Sequence, residues 1–250
     1  MYTKVKTEAE IKAMRESGRM LGTVLNELVK QTDVGMTTKD VARIAAKELK
    51  ALGGKAAFLG YQGFPDVICI SVNEAVVHGI PSDHFVLQQG DIVGLDFGVN
   101  YRGMITDAAR SIIVGQGSKA DEQLVKTTLL ALDAGIFEVR DGCKTGDIAA
   151  AVQAVLDRAG YGIVRDLVGH GVGHHVHEEP NVPNYGRAGT GDKLKAGMTI
   201  AIEPMATLGD WRVRQMPDGW TIVTADGSRS AHFEDTVLIT HDGAEIITRV

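Results

Sequence analysis

Cysteine is scarce in this chain. Cys69 and Cys143 are the only two in 250 residues. One bridge between them is arithmetically possible, but two cysteines make no disulfide framework, and a reducing compartment is the better expectation. Long apolar runs are missing too. None approaches the roughly 20 residues that a membrane span needs, and none follows the opening Met1-Tyr2-Thr3-Lys4-Val5-Lys6-Thr7-Glu8. A membrane partner and a signal peptide are therefore not expected, and a cytoplasmic location is. An excess of basic charge is also missing. The net charge of −6 argues against a chain whose main task is gripping DNA or RNA. Several catalytic signatures are absent as well: no Gly-x-Ser-x-Gly elbow, no Walker loop, no dinucleotide-binding glycine fingerprint, no Cys-x-x-Cys and no His-Glu-x-x-His.

What is present is ordinary globular material, 44% hydrophobic and 23% charged, long enough for a sizeable core. Thr7 followed by Glu10 reads as a capping box, and Ile11, Met14, Met20, Leu21, Leu25 and Leu28 give rough helical spacing. After a turn at Asp33-Val34-Gly35, a second helix is expected from near Thr37 to Leu52, stopped by Gly53-Gly54. The same grammar returns later, with helices expected over Asp121–Val139 and from Thr145 to near Gly160. Gly35, Thr38, Asp40, Val41, Leu49 and Gly53 precede Gly142, Thr145, Asp147, Ile148, Leu156 and Gly160 by the same 107 positions.

The offset persists into the strands. An apolar run opened by Gly90 ends on Asp96, and one opened by Gly197 ends on Glu203, again 107 apart. A second carboxylate then precedes a β-branched run in each part, Asp107 before Ser111-Ile112-Ile113-Val114 and Glu234 before Thr236-Val237-Leu238-Ile239. Self-similarity at one offset points to two related α+β halves, about 7–115 and 116–248, sharing one catalytic domain. Short glycine-containing turns between strands suggest mainly antiparallel sheet.

A carboxylate at the end of an apolar strand is costly if buried alone. One such residue is usually a cap or half of a salt bridge. Two at equivalent places in paired halves would converge on one point, together with Asp107 and Glu234. Four convergent carboxylates repel unless cations neutralise them. Imidazoles crowd the segment from Gly169 to Pro180, which holds His170, His174, His175 and His177, with His78 elsewhere. His174 and His175 fit loop decoration best and receive no role. One imidazole with four carboxylates is a hard, oxygen-rich set that suits cobalt, manganese, iron(II) or zinc and resembles paired-metal hydrolases.

These motifs resemble the type I methionine aminopeptidases of short bacterial form, in subfamily A of peptidase family M24, with the pita-bread fold. The likeness runs from about Lys6 to Thr248. It is carried by Cys69-Ile70-Ser71-Val72-Asn73-Glu74, His78-Gly79-Ile80-Pro81, Gly90-Asp91-Ile92-Val93, Gly169-His170-Gly171, His177-Glu178-Glu179-Pro180, Gly197-Met198-Thr199 and Ile202-Glu203-Pro204-Met205. The resemblance implies two divalent metals held by Asp96, Asp107, His170, Glu203 and Glu234, with Asp107 and Glu234 bridging. It implies Glu203 as general base, His177 on the scissile carbonyl and His78 on the amide. It places the methionine pocket on Tyr61, Phe64, Cys69, Val176 and Trp220. Phe64 stands where the family often has Tyr, and Val176 where it often has Phe. Asn73 and Ser230 match positions that bind a monovalent cation in some relatives. Asp235 stands where a His usually follows the last ligand.

The implied activity is removal of the initiator methionine from nascent proteins with a small second residue, by a monomer that docks on the ribosome. The cysteine-rich extension of longer eukaryotic relatives and the insertion of type II are both missing. One rival is a proline-specific aminopeptidase or dipeptidase of the same fold, which typically carries a large extra N-terminal domain. Another is a catalytically dead pita-bread binding protein, which would have lost ligands.

Overall fold

The computed structural model describes residues 1–250. Helix α1 (Glu8–Gln31) begins where the capping box predicts. The Thr7 hydroxyl accepts from the Glu10 N–H, and the Glu10 carboxylate accepts from the Thr7 N–H at 2.7 Å. Met14, Leu21, Leu25 and Leu28 recur at helical spacing, and all four are buried. Helix α2 (Thr38–Leu52) has the same box in Thr37 and Asp40, and it stops on Gly53 at φ +79°. Glycine takes that left-handed turn without a Cβ penalty.

Helix α3 (Lys119–Phe137) starts at Lys119 rather than Asp121, because Ser118 and Asp121 form a capping box. It ends at Phe137 rather than Val139. Helix α4 (Thr145–Ala159) matches the expectation and stops on Gly160.

Five strands precede α3: β1 (Lys55–Ala56), β2 (Cys69–Val72), β3 (Ala75–Val77), β4 (Ile92–Tyr101) and β5 (Met104–Ile113). Ten follow α4: β6 (Gly162–Ile163), β7 (Gly169–Gly171), β8 (Glu178–Val182), β9 (Thr199–Ile202), β10 (Met205–Thr207), β11 (Val213–Gln215), β12 (Ile222–Thr224), β13 (Ser230–His232), β14 (Asp235–Ile239) and β15 (Ala244–Ile246). Every ladder between them is antiparallel.

Strand β4 pairs with β5 along its whole length and with β1 and β2 on its other edge. A five-stranded sheet runs β15-β14-β9-β7-β8. The two sheets are joined where Ala109 and Glu234 exchange main-chain hydrogen bonds of 3.2 and 3.0 Å.

Each helix pair covers its own sheet. Leu21, Leu25, Val41 and Leu49 pack with Ile70, Leu95 and Phe97, while Leu132, Ile148 and Val152 pack with Ile200, Ile202 and Val237. Fully burying one such side chain contributes about 1.5–3 kcal/mol. The architecture is the α+β arrangement that the sequence suggests.

One local expectation is corrected. Asp96 does not end its strand. It lies inside β4, which runs on through Phe97-Gly98-Val99-Asn100-Tyr101 before turning back at Arg102-Gly103. The strand can continue past the acid because β5 pairs with it as far as Tyr101↔Met104.

Candidate metal centre

Strand register explains why the acids converge. Residues directly opposite in an antiparallel pair share a face, as do residues two apart along one strand. Asp96 lies opposite Ala109 and Cys69, and Asp107 lies opposite Gly98. Asp96, Asp107 and Cys69 therefore point the same way. Gly98 lies between them without a side chain, and the space a Cβ would take is filled by the Phe58 ring.

The second sheet repeats the logic. His170 lies opposite Ala201, two residues before Glu203, and the Asp235↔Ile202 pairing places Glu234 opposite Glu203. Asp96, Asp107, His170, Glu203 and Glu234 all line one cavity of about 160 Å³.

Electrostatics in this cluster favour a cation whenever the acids are ionised. Burial is the main cause that pushes Asp107, Glu203 and Glu234 well above the usual carboxylate range, and neighbouring carboxylates add to it. Burial raises Asp96 to about 7. Asp96 Oδ1, Asp107 Oδ1 and Glu234 Oε1 are buried without hydrogen-bond partners, which is unfavourable unless an ion occupies the space between them.

His170 is oriented for the same purpose. Its Nδ1 lies 2.9 Å from the Gly171 carbonyl oxygen, which can only accept, so Nδ1 carries the proton and Nε2 presents its lone pair. That lone pair faces Glu203 Oε1 at 3.4 Å. Once Glu203 is ionised, two acceptors face each other there, and a divalent cation satisfies both. Asp107, His170 and Glu234 offer ligand atoms within 4.8 Å of one another. The donor chemistry fits a divalent metal.

The remaining sequence candidates line the same cavity: His78, His177, Tyr61, Phe64, Cys69, Val176 and Trp220. The Phe64 and Trp220 rings meet edge-on at 5.1 Å. The Tyr61 hydroxyl lies 3.0 Å from His177 Nδ1. Burial pushes His170 down to about 3 and His78 down to about 4, with His177 adding to both, and it lowers His177 itself. Burial first, then the nearby acids, pushes the Cys69 thiol up.

The loop carrying His177 is fastened from below. Lys6 is buried, and its ammonium donates to the Thr3 hydroxyl at 2.5 Å and the Val172 carbonyl at 3.0 Å, with Glu178 at 3.5 Å. Glu178 Oε1 accepts from the His174 and His175 N–H groups, and His174 Nε2 lies 2.8 Å from Glu10. His174 is thus engaged in holding the loop rather than in the cavity.

Four lining residues escape a reading of the sequence: Phe58, Gln62, Val77 and His232. Only His232 carries a usable signal. It stands two residues before Glu234, the spacing that places side chains on one face of an extended segment.

Asp235 faces the other way, as the residue after a ligand must. It is fully buried between Arg110 and Arg249, each at 2.7 Å, and accepts from the Thr248 hydroxyl. Asn73 O and Ala75 O both accept from the Ser230 hydroxyl, at 3.0 and 3.2 Å. Cys69 and Cys143 are both buried free thiols. No helix is long and apolar enough to cross a membrane.

Comparison with known proteins gives the same direction. The sequence model of metallopeptidase family M24 matches residues 12–241. A methionine aminopeptidase from Clostridium acetobutylicum is 44% identical over 244 residues, covering 98% of each chain. The crystal structure of methionine aminopeptidase from Thermotoga maritima superposes with a TM-score of 0.97 at 45% identity, covering 99% of this chain and 100% of that one. Prolidase from Pyrococcus furiosus shares the fold at a TM-score of 0.78 and 24% identity, and this chain spans 65% of it. The fold is therefore the pita-bread fold, and the chain belongs to the methionine aminopeptidases of metallopeptidase family M24.

Proposed function

We propose that this chain removes the initiator methionine from newly made proteins in the cytoplasm when the second residue is small. The observation that carries this reading is a single cavity with two unlike walls. One wall is the carboxylate and imidazole cluster. The other is apolar and aromatic, with Phe58, Phe64, Cys69, Val176 and Trp220. A thioether side chain packs well against aromatic and sulfur neighbours. At about 160 Å³ the space is well under the roughly 300 Å³ where ligand clefts usually begin, so it takes one side chain rather than a peptide segment.

In this reading Asp96, Asp107, His170, Glu203 and Glu234 would hold two divalent ions. The oxygen-rich set suits cobalt, manganese, iron(II) or zinc. Bound, the ions supply Lewis acidity and a water acidic enough to attack an amide near neutral pH. Glu203 takes up the proton released in the attack and passes it toward the leaving amine. His177 donates to the carbonyl oxygen as charge develops there, and His78 contacts the scissile amide. The Asn73 and Ala75 carbonyls beside the Ser230 hydroxyl support a monovalent cation next to the site. Docking on the ribosome goes with work on nascent chains.

Mass spectrometry on a panel of Met-Xaa peptides tests the proposal. Loss of Met is expected for Xaa = Gly, Ala or Ser. Equal rates for Ala and Arg, or cleavage of Ala-Pro in preference to Met-Ala-Ser, would count against it.

A further inference from the structure

His232 has no part in the scheme above, yet its ring is buried against the carboxylate cluster. It is 3% exposed, it lines the cavity, and its Nε2 has no hydrogen-bond partner. That nitrogen lies 3.7 Å from Glu203 Oε2 and 4.0 Å from Glu234 Oε2. Its main chain is fixed on both sides by one hydroxyl. Ser111 Oγ donates to the His232 carbonyl at 2.8 Å and accepts from the His232 N–H at 2.9 Å. The reach of the ring is therefore set by β5.

Glu203 is thus flanked by two imidazoles, one at each oxygen. His170 Nε2 faces Oε1 at 3.4 Å, and His232 Nε2 faces Oε2. The two rings have opposite polarity. The bond from His170 Nδ1 to the Gly171 carbonyl leaves a lone pair on the His170 side. On the His232 side, a lone pair aimed between two carboxylates would be repelled by both, whereas an N–H is attracted to both. A shift of about 0.7 Å brings the gap to Glu203 to ordinary N–H···O length.

We propose that His232 is a positioning residue, whose Nε2–H donates to Glu203 Oε2 and leaves Oε1 aimed at the His170 side of the centre. The proposal rests on the reading of Glu203 as the base. It gives the carboxylate two distinct oxygens, one committed beside His170 and one whose orientation His232 sets.

The test combines imidazole NMR with kinetics on the full-length protein. With ¹⁵N-labelled histidine, the His232 signals are identified by their loss in His232→Gln. The expected result is a proton on Nε2, in the metal-free protein and after addition of zinc, with a resonance that moves in Glu203→Gln. On Met-Ala-Ser, His232→Ala should lower kcat about 10- to 100-fold, the usual cost of removing such a support. KM and the number of zinc ions bound should not change, and His232→Gln, which keeps a donor, should recover most of the rate. A proton that leaves Nε2 on zinc addition would make His232 a ligand and overturn the proposal. So would a resonance indifferent to Glu203→Gln, or a His232→Ala variant with parental kcat. The tautomer and its response to Glu203→Gln need no turnover. If the parent fails to cleave Met-Ala-Ser, the functional reading falls while the NMR result still decides on His232.

Discussion

The Tyr61 hydroxyl and His177 Nδ1 lie 3.0 Å apart at the rim of the cavity. The contact fixes the ring of a histidine whose other nitrogen is then free to face the substrate. Tyr61→Phe keeps the aromatic wall and removes the hydroxyl. A lost neutral hydrogen bond is worth about 0.5–1.5 kcal/mol, so kcat should fall about 3- to 10-fold with metal affinity unchanged. Steady-state kinetics at saturating metal would show this. A parental kcat would mean that the contact does not orient His177.

In the proposed function, His170 belongs to metal binding and His177 to the chemistry. Their rings are 4.4 Å apart, so the two alanine variants share most nonspecific effects on folding. His170→Ala removes a proposed ligand and should need more metal than the parent. His177→Ala should bind metal normally and remain about 10²–10³ slower however much is added, as for loss of one oxyanion donor. A metal titration of both variants, read beside kcat, checks this. Rescue of His177→Ala by excess metal would make His177 a ligand.

The ion network behind the site should matter to folding. Asp235 is fully buried between Arg110 and Arg249, and Arg110 also donates to the Glu234 carbonyl at 2.6 Å. Asp235→Ala removes the carboxylate that Arg110 and Arg249 share, leaves Arg249 with Asp133 alone at 2.7 Å, and should cost about 3–5 kcal/mol. Arg249→Ala should cost less, because its side chain is 35% exposed and water can replace part of the pairing. Urea denaturation of both variants measures the difference, and an Asp235→Ala protein as stable as the parent would refute the assignment.

The metal-free protein should lose stability as pH rises. Asp96 is raised by burial to about 7 from an ordinary 3.8, and the other three acids are raised as well. Acids with raised pKa stabilise the fold below their unfolded pKa, and that stability is lost as pH climbs through the folded value. With chelator present, the Asp96 contribution should make Tm fall between about pH 4 and pH 7. Added manganese should flatten the decline, since it favours the ionised acids. Calorimetry across that range decides, and a metal-free Tm that rises with pH would contradict the account.

Much of the fold and site is legible in the sequence because local signals agree. Thr7 with Glu10, and Gly53 and Gly160 at helix ends, mark α1, α2 and α4 through capping chemistry alone. The 107-residue offset singles out Asp96 and Glu203 from the order of residues alone. The expected start of α3 at Asp121 falls two residues late, because the signal there is the Ser118-x-x-Asp121 capping box, which starts the helix at Lys119. The extent of β4 is hidden because Gly98 and Asn100 interrupt its apolar pattern, and its pairing with β5 carries it onward. Asp235 is visible as a departure, but Arg110 comes from a distant strand and Arg249 from the chain end, so its role needs three dimensions. His232 is a lone imidazole with no motif around it, and only the approach of Glu203 gives it meaning.

Central to the proposed function is a pair of divalent ions that Asp96, Asp107, His170, Glu203 and Glu234 would hold. The most direct test is a crystal grown with manganese and measured at the manganese absorption edge. The account predicts two anomalous peaks in the cavity, both touched by Asp107 and Glu234, with Asp96 on one and His170 and Glu203 on the other. A single peak at saturating manganese, or peaks that leave Asp107 and Glu234 unshared, would contradict it.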